Sequence, residues 1–134
     1  MTTFPYEATT DGITVRVRPT WLADESKPRE NRFVWAYQIE VENSSKKTWQ
    51  LVYRHWQIVD AIGQTQTVDG EGVVGQQPTL KPGDVFRYTS GAPLSTPSGM
   101  MGGTYDLIDE AGDLLSAKIP TFSLDSPHET RRPS

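Results

Sequence analysis

Residues 70–75, Gly-Glu-Gly-Val-Val-Gly, spell GxGxxG, the spacing that lets backbone N–H groups cradle a phosphate. A dinucleotide site also needs a helix to open after the last glycine, because the pyrophosphate sits on the unpaired N–H groups of its first turn. Pro78 follows Gly75 by three residues, disfavours the helical region at Gln77, and is itself followed by Lys81-Pro82-Gly83-Asp84, the chemistry of a type II turn. No βαβ unit starts here. Two readings remain for Gly70, Gly72 and Gly75. They form a helix-free anion nest for pyrophosphate or a nucleotide, working against the adjacent charges of Asp69 and Glu71, or they supply positive φ and close approach while Val73 and Val74 anchor the loop in the core.

The other chemistry-bearing residues are sparse. The two histidines are His55, in an apparent strand, and His128, near the C-terminal end, so an imidazole metal cluster cannot be assembled within one chain. Asp109, Glu110 and Asp113 offer oxygens but do not follow the twelve-residue calcium loop, and read as a solvated acidic turn. Ser90, Ser95, Thr96 and Ser98 offer hydroxyls, with His55 the one base available to activate them; beside Trp56 it reads better as a packing residue with one satisfied nitrogen. Arg54 is either an anion clamp or a cross-strand partner of Glu40 or Glu42. No catalytic set, no metal site and no cofactor is therefore assigned, and the chain is expected not to be an enzyme. Trp35, Tyr37, Trp56 and Phe86 read as core, whereas Trp49 near a strand end and Thr96, Met100 and Met101 on a presumed loop form a partner surface if they are exposed together.

The elements that must carry these residues are strands. The 134 residues fit one domain, and 11 glycines and 10 prolines with little helical periodicity favour an all-β domain with many turns. Ile13, Val15 and Val17 alternate with polar residues until Pro19, giving a short first strand expected at a sheet edge. Phe33, Trp35, Tyr37, Ile39 and Val41 mark the clearest strand. Residues 43–47, Asn-Ser-Ser-Lys-Lys, read as a hairpin loop into a second long strand, Trp49 to Asp60, whose apolar phase slips between Leu51 and Trp56 as a β-bulge would make it. Gln64 to Asp69 reads as a short strand, Val85 to Tyr88 as another. Ser90 to Gly103, rich in Ser, Thr, Gly and Pro, reads as a long surface loop, and Thr104 to Asp109 with Leu114 to Leu124 as a last hairpin. About seven strands with short spacing favour a β-sandwich of residues 1–124, with 125–134 a disordered tail.

Composition excludes several classes. A net charge of −4 is unsuited to nucleic acid, which needs a clustered basic face. The absence of cysteine excludes a disulfide framework and suits a reducing compartment. Met1 to Thr10 lacks the basic and apolar segments of a signal peptide, and no run approaches a membrane span, so a cytoplasmic location without membrane insertion is expected. A homo-oligomer is left open.

Residues 70–105, GEGVVGQQPTLKPGDVFRYTSGAPLSTPSGMMGGTY, together with RFVWAYQIEVEN from Arg32 to Asn43 and RHWQI from Arg54 to Ile58, resemble the bacterial ApaG family over about Tyr6 to Leu124. Family members often carry a histidine where this chain has Thr104, so no role resting on that imidazole transfers. The resemblance implies a fibronectin type III-like sandwich of two antiparallel sheets and an association with cobalt and magnesium tolerance, worded as ion efflux. It also implies an interaction module, since the same domain occurs in eukaryotic proteins beside F-box and polymerase-interacting regions. A non-enzymatic protein that binds an unidentified protein partner is the leading expectation, and a small-anion binder using the glycine loop is the alternative.

Overall fold

The computed structural model describes residues 4–128, in which nine strands form two antiparallel sheets packed face to face. In chain order they are β1 (Tyr6–Thr10), β2 (Ile13–Trp21), β3 (Phe33–Asn43), β4 (Trp49–Asp60), β5 (Thr65–Glu71), β6 (Thr79–Leu80), β7 (Val85–Leu94), β8 (Gly99–Asp109) and β9 (Leu114–Leu124). One sheet has the order β1-β2-β3-β7. The other has the order β5-β4-β8-β9, with β6 added to β4. A single 3-10 turn, Pro28–Glu30, lies in the charged segment between β2 and β3. Among the described residues no helix is long and apolar enough to cross a membrane.

The alternation that marks β3 buries Phe33, Trp35, Tyr37, Ile39 and Val41 on one face, against Leu51, Trp56, Tyr105, Leu107 and Phe122 of the facing sheet. Trp56 meets Tyr37 at 5.3 Å between ring centroids and stands edge-on to Phe122 at 6.1 Å. Such offset and edge contacts suit the ring quadrupoles. On the outer face Glu40 accepts from Arg16 and Arg87 at 2.7 Å each. Desolvation works to raise the Glu40 pKa, but the hydrogen bonds from Arg87 and Arg16 outweigh it and hold the carboxyl below its ordinary value.

Four expectations are corrected. β2 runs through Pro19 to Trp21 and is not an edge strand, because β1, a five-residue strand unmarked by strong apolar periodicity, pairs outside it. β1 covers β2 only as far as Val17, so Pro19 lies opposite Tyr37 of β3 where its other side has no β1 partner and a missing N–H costs no ladder bond. β3 and β4 do not form a hairpin but belong to different sheets. Asn43 makes the crossing. Fully buried, it donates from Nδ2 to the carbonyls of Lys47 and Leu80 and accepts from the Ser45 amide and hydroxyl through Oδ1, turning the chain from one layer into the other. The expected loop from Ser90 to Gly103 is mostly strand, with β7 paired to β3 as far as Leu94 and β8 starting at Gly99. β7 is an edge strand, which tolerates Gly91 and Pro93 as a central strand would not.

The fourth correction concerns the C-terminal segment. Residues 125–128 are docked: the Asp125 carbonyl accepts from Trp35 Nε1 at 2.8 Å, Ser126 Oγ donates to the Pro97 carbonyl at 2.6 Å, and the His128 ring lies 5.7 Å from that of Trp21. Residues 1–3 and 129–134, with the leader and tail readings that fall on them, lie outside the described residues. The expected bulge in β4 is present between Leu51 and Tyr53, and the β8–β9 hairpin closes as expected, with Asp109 Oδ1 accepting the amides of Ala111 and Asp113.

Candidate functional site

The two sheets are joined along one flank and parted along the other. At the joined flank β1 and β2 pack on β9: the Lys118 amide donates to Thr10 Oγ1 at 3.0 Å and the Ser123 amide to the Tyr6 hydroxyl at 3.2 Å. At the other flank the terminal strands β7 and β5 leave a cleft of about 340 Å³. Its floor is built by inward-facing Arg54, Trp56 and Ile58 of β4, which alternate along one strand face, with Tyr37, Tyr88 and Ser90 from the opposite sheet. Val68 of β5, Val73 and Val74 of the glycine turn, and Pro93 of β7 complete the walls.

The glycine segment divides into parts with different work. Gly70 is a β5 residue paired with Arg54, and the guanidinium lies flat against it, so that a Cβ there would come within 2.9 Å of Arg54 Cζ. The Gly72 amide donates to the carbonyl of Val52, the bulged residue of β4, at 2.8 Å; Gln77 Nε2 donates to the same oxygen at 2.9 Å. The β4 bulge therefore exposes the acceptor that seats the glycine turn. Residues 73–76 close on themselves through reciprocal Val73 and Gln76 backbone bonds, with positive φ at both central residues, +44° at Val74 and +79° at Gly75, the geometry of a type I′ turn. A β-branched residue is out of place there, yet Val74 is held in it with half of its side chain exposed at the cleft mouth.

Arg54 fastens this turn. Its Nη1 donates to the carbonyls of Glu71 and Gly72, each at 2.9 Å. It does not pair with Glu40 or Glu42, which lie on the other sheet and are taken by Arg16. Beside it Tyr88 and Tyr105 share a hydroxyl–hydroxyl hydrogen bond. Burial raises the pKa of both phenols, and that of Tyr37, so all three stay protonated at neutral pH.

Of the four residues expected to form a partner surface, Met101 alone lines the cleft. Trp49, Thr96 and Met101 are buried, and Met100 alone of that group is exposed. Trp49 pairs with Asp109 at one end of the β4–β8 ladder and Met100 with Val59 near the other, so the four make no common surface. Thr96 instead pins the short β7–β8 turn, accepting from the Ala61 amide and donating to the Ser98 carbonyl. His55 faces away from the cleft. Both of its ring nitrogens, not one, are engaged, with Asp69 and Asp106 at 2.8 Å each. Its hydrogen bonds to the carboxylates of Asp106 and then Asp69 raise its pKa by favouring the imidazolium. Among the described residues no three His, Asp or Glu side chains are grouped to hold a metal ion. The cleft itself went unnoticed in the linear pattern. The one signal for it was the phase slip in β4, which marks where the glycine turn attaches.

Comparisons with known proteins agree with this fold. A family model described as the ApaG domain, DUF525, matches residues 23–109. Proteins described as ApaG from Paramagnetospirillum magneticum and Rhodospirillum centenum are 55% and 53% identical, covering 95% and 96% of this chain and 98% and 99% of their own lengths. Among solved structures, an ApaA protein from Bordetella pertussis superposes with a TM-score of 0.83 at 42% identity, over 87% of this chain and 95% of that one. The C-terminal domain of Wzt, at 11% identity and a TM-score of 0.51 over 95% of this chain and 87% of that one, shares the fold alone.

Proposed function

The chain belongs to the ApaG family, and on that premise we propose that it is a non-enzymatic binding module whose partner, another protein, docks at the open flank of the sandwich. One observation carries the reading: the cleft between the unpaired edges of β5 and β7, with Trp56, Tyr37 and Tyr88 in its floor and Val74 displayed at its mouth in a strained conformation. Aromatic floors and free strand edges are what peptide recognition by strand addition uses. Binding is favoured over catalysis because Ser90 lies in the cleft while His55, the base it would need, is clamped between two carboxylates on the outer face. The association with cobalt and magnesium tolerance that the family resemblance implies is read as indirect, acting through the partner.

The test pairs a purified partner, captured by the full chain from its own source, with the variant Val74→Asp, which puts a charge at the cleft mouth. Partner binding is expected to fall at least about tenfold, the loss produced by about 1.4 kcal/mol, and cobalt tolerance to fall with it. Full retention of both by a folded variant overturns the proposal.

A further inference from the structure

Two of the chain's described Lys and Arg residues are withdrawn from solvent, Arg16 and Arg54, and their surroundings are opposite. Arg16 is ringed by Glu7, Glu40 and Glu42. Arg54 makes no ion pair among the described residues, in a chain with 17 acidic against 13 basic residues, and no Asp or Glu lines the cleft it faces. A half-buried cation without a counter-charge is costly unless something supplies one.

The guanidinium is also half used. Nη1 donates both of its hydrogens, to the Glu71 and Gly72 carbonyls, while Nε and Nη2 have no hydrogen-bond partner among the described residues. The Nε and Nη2 donors form a two-pronged edge that matches a carboxylate in the bidentate manner. One guanidinium neutralises one negative charge, which suits a carboxylate better than a phosphate dianion. Along β4 the next two residues on the same face are Trp56 and Ile58, so acid-binding and apolar-binding positions follow each other at the two-residue period of a strand.

From this geometry we propose that the cleft receives an extended segment of a partner protein carrying a carboxylate and, two residues away, a large apolar side chain, with the carboxylate on Arg54 Nε and Nη2 and the apolar group over Trp56 and Ile58. The proposal rests on the partner-binding reading above and specifies what the partner presents. It moves anion recognition from the glycine amides, of which that of Gly72 is committed to Val52, to the side chain that holds the glycine turn.

Backbone amide shifts of the full chain are followed during titration with acetyl-Glu-Thr-Phe-Thr-amide and with its Gln counterpart, which differs only in the charge. The Glu peptide is expected to perturb Gly70, Val73, Ser90 and Gly91 and to bind at least about tenfold more tightly, as a hydrogen-bonded charge pair provides. That difference is expected to vanish in Arg54→Gln. Because Arg54 also holds the turn, the two peptides on the unaltered chain decide the question even if that variant fails to fold. Equal affinity of the two peptides in the cleft overturns the carboxylate assignment and leaves partner binding standing. Inorganic phosphate or 3-phenylpropionate binding as tightly as the Glu peptide overturns the extended-segment assignment in favour of a small anion. Absence of binding by both peptides, with partner capture unaffected by cleft variants, overturns both.

Discussion

The two flanks of the sandwich face the same task of ending a pair of sheets, and they solve it differently. At the β1–β9 flank, side-chain oxygens of Thr10 and Tyr6 take the amides of Lys118 and Ser123, and the Tyr6 ring lies 6.0 Å from that of Phe122. There the layers are stitched by side-chain to backbone bonds. At the β5–β7 flank the terminal strands are not stitched to each other, and the turn lodged on the β4 bulge walls a cleft whose floor includes the core aromatics Tyr37 and Trp56. The proposed docking site therefore lies at the flank where the layers are not stitched.

The largest expected effect tests the stitched flank. Phe122→Ala removes a fully buried ring packed against Tyr6, Tyr37 and Trp56, and is expected to lower unfolding free energy by about 3–5 kcal/mol in a denaturant titration. A loss under about 1 kcal/mol would mean that this flank is not the rigid half. Next comes the turn that props the other flank. Gly72 has φ of +62°, and a Cβ there would overlap the Gln76 carbonyl oxygen, so Gly72→Ala is expected to cost about 1–3 kcal/mol. Its amide-shift changes should be confined to the cleft and absent from β9.

Val74 separates stability from binding at one residue. Val74→Asn creates the Asn-Gly pair that a type I′ turn favours, and is expected to raise stability by about 0.5–1 kcal/mol while weakening the partner, because the exposed apolar side chain is lost. Stability and affinity moving in the same direction would show that Val74 is not held strained for binding.

The smallest effect is a pH dependence. His55 ties edge strand β5 to β4 and β8 through Asp69 and Asp106, and these bonds raise its folded pKa above the ordinary 6.5. A raised pKa means that the folded state holds the proton more tightly than the unfolded one. The stabilisation is therefore complete below the unfolded value and is lost as pH rises through the folded value. Unfolding titrations from mildly acidic to mildly alkaline pH should reveal this decline, reduced by screening because the side chain is 42% exposed. In His55→Gln the decline over that window should disappear.

Much of the fold was legible in the chain because apolar alternation reports burial directly. Phe33 to Val41 announced their strand and its inward face, and the slip between Leu51 and Trp56 announced the bulge. β1 and the second half of β7 escaped notice because edge strands bury little and so carry weak alternation. The candidate site was hidden for a related reason. Of the residues singled out in advance, Met101 lines it, Gly70, Gly72 and Gly75 belong to the segment whose Val73 and Val74 wall it, and Trp49 and Thr96 are buried elsewhere.

The local order of residues was sufficient to establish the central strands, the turn at Gly83 and the family, since each depends on neighbours within a few positions or on motifs read along the chain. Which sheet each strand joins was settled by long-range pairing. Asn43 carries the chain across the layers instead of around a hairpin because its buried amide finds Leu80, 37 residues away. Arg54 faces a cleft without acidic lining rather than Glu40 because β3 and β4 lie in opposite sheets, so a cation that looked paired along the sequence has no ion-pair partner among the described residues.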